Sequence, residues 1–234
     1  MKNKSSVFKV IVLATILVLP GFLYYLLQEK GTNRYRPLNI MGPKQVAGTF
    51  HTKRGKKIPD TIYHHIRDFK LLSSTGDSIG LSADSSRVAV VNFFYKNCKS
   101  FCPQMNTQMA RVVAEYSKNK MLKFYSITVD PEKDNQEALK AYAQTYQANP
   151  KKWSFLTGNK DLIFDLAKKD FLVDAFDTQT DGEIIHSPML ILVDSKNRIR
   201  GYYDSTSKEQ VDKLIDEIKV LVTEELRNTP ISYY

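Results

Sequence analysis

At 234 residues and a formal net charge of +9, this chain has room for one membrane anchor and one sizeable domain with a proper core, and its surplus of Lys and Arg allows attraction to anionic lipid or an acidic partner. The charge does not make it a nucleic-acid binder. Its densest basic cluster, Lys53-Arg54-Gly55-Lys56-Lys57, lacks interleaved aromatics and lies in a Gly/Pro-bounded loop, the pattern of a solvated surface.

Residues 10–27 are apolar apart from Thr15 and Gly21, with Pro20 inside the run, and the length suits one crossing of the hydrocarbon core. The continuation PGFLYYLLQEK offers no A-x-A cleavage pattern, and no cysteine follows that would accept a lipid. Lys2, Lys4 and Lys9 precede the span while Lys30, Arg34 and Arg36 follow it, so charge alone does not orient it. A short cytoplasmic tail (1–9) ahead of a large domain favours a domain outside the cytoplasm. With no Arg- and Ser-rich presequence in front, a bacterial plasma membrane is expected, the domain facing the periplasm or cell exterior.

Residues 28–57 read as a linker, rich in Gly, Pro and Lys without sustained periodicity, and the folded domain is expected over 58–226, with 227–234 as a tail. Within 61–72 the apolar residues Ile62, Ile66, Phe69 and Leu71 recur, and Ser73-Ser74-Thr75-Gly76-Asp77 is a turn signal; together they predict a β-hairpin packed at the edge of the later strands. His64 and His65 are adjacent and would face opposite ways in a strand, so surface or edge positions are expected for them rather than metal ligation.

The stretch VAVVNFFYKNCKSFCPQ, residues 88–104, organises the rest. Its apolar opening, 88–95, is too short for a helix and rich in β-branched and aromatic residues, which predicts a buried central strand, flanked by the runs 121–129 and 189–193 that are likewise apolar on both faces. The chain's two cysteines, Cys98 and Cys102, follow at once, and Pro103 marks a first helical position. Both thiols therefore lie where a strand hands over to a helix N-terminus, whose free N–H groups favour the thiolate that binds metal or attacks disulfides. The C-x-x-x-C spacing brings the sulfurs close enough to share a metal or oxidise. Two buried structural cysteines are the alternative, opposed by Lys96, Asn97, Lys99 and Ser100, which make the flanks polar and accessible.

Met105, Met109, Val112, Val113 and Tyr116 recur at helical spacing over 102–118, with the methionines expected in the core rather than on a metal. A strand over 121–129 then completes a parallel strand–helix–strand unit, closed by Asp130-Pro131-Glu132, where a carboxylate either supports a site or closes a turn. Helices over 135–147 and 159–169 flank a short strand at 153–156. In DGEIIHSPMLILVDSKNRIRGYYD, Asp181-Gly182 is a turn, 189–193 a fully apolar strand, and 199–203 its hairpin partner. His186 stands just before the apolar strand and reaches the Cys98 strand's carboxyl end if the two strands are neighbours; a solvated loop histidine is the alternative. Val211, Leu214, Ile215, Ile218, Leu221 and Val222 mark a closing amphipathic helix.

This order is an α/β, thioredoxin-like plan with an N-terminal β-hairpin and insertions, preceded by one transmembrane helix. FFYKNCKSFCP, SITVDPEKD, WSFLTG and DGEIIHSPMLILVD resemble the motifs of the Sco/SenC family of membrane-anchored, copper-binding assembly proteins for cytochrome c oxidase, over roughly residues 37–226. The resemblance implies that Cys98, Cys102 and His186 bind copper. It also implies delivery of copper, or of reducing power, to the oxidase subunit carrying the dinuclear copper site, with other copper carriers or thiol reductants as further partners. Two residues depart from the family pattern: Pro188 follows His-Ser in place of an aliphatic residue, and Lys133 follows Asp-Pro-Glu in place of Arg.

Two thiolates and an imidazole form a soft, low-coordinate set that suits Cu(I) and accepts Cu(II) with an added ligand; the same set on zinc would leave an open position with no acid–base residue beside it. The rival function is a thiol–disulfide oxidoreductase that reduces the oxidase's copper-site cysteines without carrying metal. A thiol peroxidase is disfavoured, because no peroxide-binding Thr/Arg motif surrounds either cysteine.

Overall fold

The computed structural model describes residues 3–30, 37–53, 55–81, 88–177 and 184–228. The chain divides into two compact units, Met1–Arg36 and Pro37–Tyr234. The first contains helix α1 (Asn3–Lys30), whose segment Val7–Leu26 has a mean hydropathy of 2.2 and is long and apolar enough to cross a membrane.

The second unit opens with β1 (Lys44–Lys53) and β2 (Lys56–Tyr63), an antiparallel pair forming a sheet of its own. This corrects the reading of 28–57 as linker. Nearly every side chain of both strands faces water, so the buried/exposed alternation that marks a strand in sequence is missing.

The main sheet has seven strands: β3 (Leu71–Ser73), β4 (Ser78–Ile79), β5 (Val88–Phe94), β6 (Leu122–Thr128), β7 (Trp153–Thr157), β10 (Met189–Asp194) and β11 (Ile199–Asp204), in the order β11-β10-β5-β6-β7-β3-β4. The edge hairpin expected around 61–77 is there, but its first arm is Leu71–Ser73 alone. Residues 64–70 instead run without regular structure, tied down by side chains: His64 Nε2 lies 2.7 Å from the Asp170 carbonyl oxygen and His65 Nδ1 2.8 Å from that of Lys196.

Strand β5 is buried along its whole length because it has neighbours on both edges and packing on both faces. Val88, Val90 and Phe94 point into one apolar cluster with residues of α2 (Cys102–Glu115), of α5 (Lys208–Asn228) and Leu139 of α3 (Gln136–Thr145). Ala89, Val91 and Phe93 point into a second cluster with Ile66, Phe69, Ile163 and Phe171. Met105 and Met109 are completely buried in the first cluster, as core residues should be.

The single helix expected over 159–169 is two pieces. α4 (Lys160–Asp165) gives way to a wider π turn, Leu166–Asp170, which buries Leu166 and Ala167 and delivers Asp170 to Arg67. There the carboxylate accepts from the Arg67 backbone N–H at 2.9 Å, from Nε at 2.9 Å and from Nη2 at 2.7 Å. Two short strands, β8 (Ala175–Asp177) and β9 (Ile184–His186), pair antiparallel; the Asp181-Gly182 turn expected between them falls outside the described residues.

Candidate metal centre

Strand pairing assembles the site. β6 runs parallel to β5, so Thr128 lies opposite Phe94 at the same carboxyl end. β10 runs antiparallel to β5, with Asp194 opposite Val88 and Ile191 opposite Val91, so the start of β10 and the residues before it also lie at the carboxyl end of β5. Cys98, Asp134 and His186 thus come from three separate stretches of sequence to one end of the sheet.

Beyond Phe94 the chain turns, the Cys98 N–H bonding to the Tyr95 carbonyl at 3.3 Å, and α2 begins at Cys102 with Pro103 in its first turn. Phe101, at the N-cap position, offers no side-chain acceptor.

The ligand atoms of Cys98, Cys102 and His186 all lie within 4.8 Å of one another, the one such group among the described residues. All three residues are buried, Cys102 completely. The polar flanks Lys96, Asn97, Lys99 and Ser100 are exposed as expected, while the two cysteines beside them are buried. His186 is likewise not a solvated loop residue. It ends β9, opposite Ala175, and its ring meets Phe101 at 4.6 Å and Tyr95 edge-on at 5.5 Å between centroids. Its Nε2 lies 3.0 Å from Cys102 Sγ, while Nδ1 is buried with no hydrogen-bond partner. The backbone just after it is pinned by Ser187 N–H to Asp174 O and Ser205 N–H to Pro188 O, both 3.0 Å.

The two sulfurs differ in acidity. Hydrogen bonding from the Cys102 thiol pulls the Cys98 thiol well below the ordinary range, against the opposing effect of burial, with further help from His186 and Ser100, whose Oγ is 3.3 Å away. Cys102 is pushed up, because its proton is engaged by the Cys98 sulfur and because it is buried. Within the pair, ionisation is thus favoured at Cys98 and disfavoured at Cys102. Two sulfurs and an imidazole with an unengaged nitrogen fit a soft, thiophilic cation of low coordination number.

Asp134 is a residue that sequence reasoning passes over. Its Oδ2 accepts the Lys96 N–H at 2.9 Å and the Thr128 hydroxyl at 2.6 Å, tying the chain entering the Cys98 turn to the end of β6. Burial lifts its carboxyl above the usual carboxylate range, against these two bonds, and Oδ1 has no partner. Asp130, the carboxylate weighed in sequence, ion-pairs with Lys133 at 3.2 Å and closes a turn through its carbonyl, which accepts the Asp134 N–H at 2.8 Å.

Comparison with known proteins agrees with this geometry. A family model described as SCO1/SenC matches residues 59–223. The SCO1 protein homolog of Bacillus subtilis is 25% identical over 167 residues, 70% of this chain and 86% of that protein. Among solved structures, a SCO1/SenC family lipoprotein from Bacillus anthracis superposes with a TM-score of 0.63 at 26% identity, covering 68% of this chain and 95% of that one. BsSco, described as a member of the Sco family of cytochrome c oxidase assembly proteins with a disulfide switch, follows at 0.61 and 25%, covering 68% and 94%.

Proposed function

Because the chain belongs to the SCO1/SenC family, we propose that it is a copper metallochaperone: Cys98, Cys102 and His186 bind a copper ion, which the protein hands to the dinuclear copper site of a cytochrome c oxidase subunit. The observation that carries this reading is the convergence of two sulfurs and an imidazole within 4.8 Å. The copper is cargo. Cys98, whose ionisation its surroundings favour, is the first ligand to meet it, and Cys102 loses its proton as the second sulfur closes on the ion. Three protein ligands leave the ion open to thiolates of the acceptor, which displace the donor's one at a time. The apolar helix α1 anchors the domain to a bacterial plasma membrane, on the side away from the cytoplasm, which brings donor and membrane-bound acceptor onto one surface.

The opposed acidities of the two thiols favour a second reading, a dithiol reductase. The Cys98 thiolate would attack an acceptor disulfide, forming a mixed disulfide and releasing one acceptor thiolate. Cys102, losing its proton, would then attack the Cys98 sulfur, closing an intramolecular disulfide and releasing the second acceptor thiolate. Two electrons pass to the acceptor. This route does not use His186. The His186→Ala variant therefore separates the readings, assayed in cells for oxidase copper-site assembly and as purified protein for disulfide reduction. Failed assembly with reduction retained is the expected result; normal assembly with undiminished reduction would leave the reductase.

A further inference from the structure

The hairpin β1–β2 stands outside the main sheet as a separate two-stranded sheet. Such a hairpin is marginal in water unless an apolar face is covered. β2 keeps a regular register while β1 carries the irregularity between Val46 and Phe50, so alternate residues of β2 share one face with their partners. That face presents Val46, Phe50, Pro59 and Tyr63, with Val46 75% and Phe50 56% exposed. Lysines roof its aromatic rings: Lys57 Nζ stands 5.4 Å from the Phe50 centroid and Lys44 Nζ 5.8 Å from that of Tyr63. Apolar and aromatic bodies with ammonium heads beside them suit the headgroup zone of a bilayer, where the rings enter and the lysines reach phosphates. Among the described residues of the two strands, Lys44, Lys53, Lys56 and Lys57 face a single acid, Asp60, which His51 Nδ1 engages at 2.6 Å. An acidic protein would be attracted by the same charge. The hairpin, however, follows α1 closely in sequence, so a bilayer holding α1 is presented to it at high effective concentration and a weak individual affinity suffices.

We propose that the β1–β2 hairpin docks on an anionic bilayer surface through the face carrying Val46, Phe50, Pro59 and Tyr63. The proposal rests on the reading of α1 as an anchor and is independent of copper. Trp153 is the chain's one tryptophan and lies buried, so a Phe50→Trp change adds a reporter at the hairpin. The full chain carrying Phe50→Trp is reconstituted into phosphatidylcholine vesicles with about one-third phosphatidylglycerol, with plain or brominated acyl chains. Bromination should quench the added emission in these vesicles and quench it less in pure phosphatidylcholine. Adding Lys44→Gln and Lys57→Gln should lower the docking equilibrium about thirty-fold and remove most of the quenching. A chain that floats with the vesicles but shows no bromine quenching overturns the proposal and leaves the anchor standing. Quenching that ignores both lipid charge and the lysine changes overturns it as well, as does a hairpin shielded by an added membrane protein and never by lipid. A chain that fails to float removes the anchor and the proposal together. Copper content of the same samples reports the thiol–imidazole site separately.

Discussion

Cys98 and Cys102 are four residues apart in one turn, yet their surroundings drive their acidities in opposite directions. Because the Cys98 pKa is lowered, its charged form should persist as pH falls below the ordinary thiol range. Thiolate ultraviolet absorbance of the reduced protein should accordingly keep one thiolate's worth down to about pH 6, and Cys102→Ala, which removes the donor, should shift that loss to higher pH. Absorbance that disappears near pH 8–9 in the wild type would contradict the arrangement. Asp134→Ala should leave the Lys96 N–H and the Thr128 hydroxyl unmet, costing about 1–3 kcal/mol in chemical unfolding and weakening copper binding by about tenfold through the loosened Cys98 turn. Unchanged stability would show that water serves those donors equally well. Cys98, Cys102 and His186, which the structure brings together, were legible as candidates in sequence because only two cysteines exist and one histidine precedes an apolar strand. Asp134 was not, since its importance comes from a backbone N–H thirty-eight positions earlier. The burial of the two cysteines was not legible for a related reason: polar flanks describe the rim of a turn, whereas cover depends on what the rest of the fold brings against it.

Elements buried on one or both faces were the ones sequence could place. β5, β6 and β10 lie within a residue or two of the apolar runs that announced them, because burial writes hydrophobicity into every position. β1 and β2 were missed because neither face is buried, and the helix after β7 was read as uniform because periodicity does not register one wide turn. The β3–β4 edge depends on a close backbone approach: a Cβ on Gly80 would stand 2.1 Å from the Phe69 carbonyl oxygen. Gly80→Ala should therefore push the edge hairpin off the sheet and cost about 1–3 kcal/mol, read as a lowered thermal midpoint. An unaltered midpoint would mean that the edge yields freely. At α3, the Asn135 side chain accepts the Ala138 N–H at 2.9 Å, so Asn135→Ala should cost about 1 kcal/mol in chemical unfolding while leaving copper binding intact. A large loss of copper binding there would tie α3 to the site in a way its hydrogen bonds do not show.

Over the whole molecule, function follows from strand direction. One parallel and one antiparallel neighbour of β5 bring the residues beyond Phe94, those beyond Thr128 and those before Met189 to one end of the sheet. Apolarity on both faces marked 88–95 as the central strand with 121–129 and 189–193 beside it, and the observed pairing agrees. If α1 anchors the protein with its domain outside the cytoplasm, reporter fusions after Asp60 should be active only on the outer side of the membrane, and activity confined to the cytoplasm would reverse the orientation. The central claim is that two sulfurs and one imidazole act as a single copper site. It is tested most directly by the copper stoichiometry and affinity of the purified, reduced full chain, wild type beside His186→Ala. One copper per chain is predicted, with affinity falling in the variant by more than the ~10–100-fold that loss of an outer partner costs. Equal copper content and equal affinity in the two proteins would contradict it.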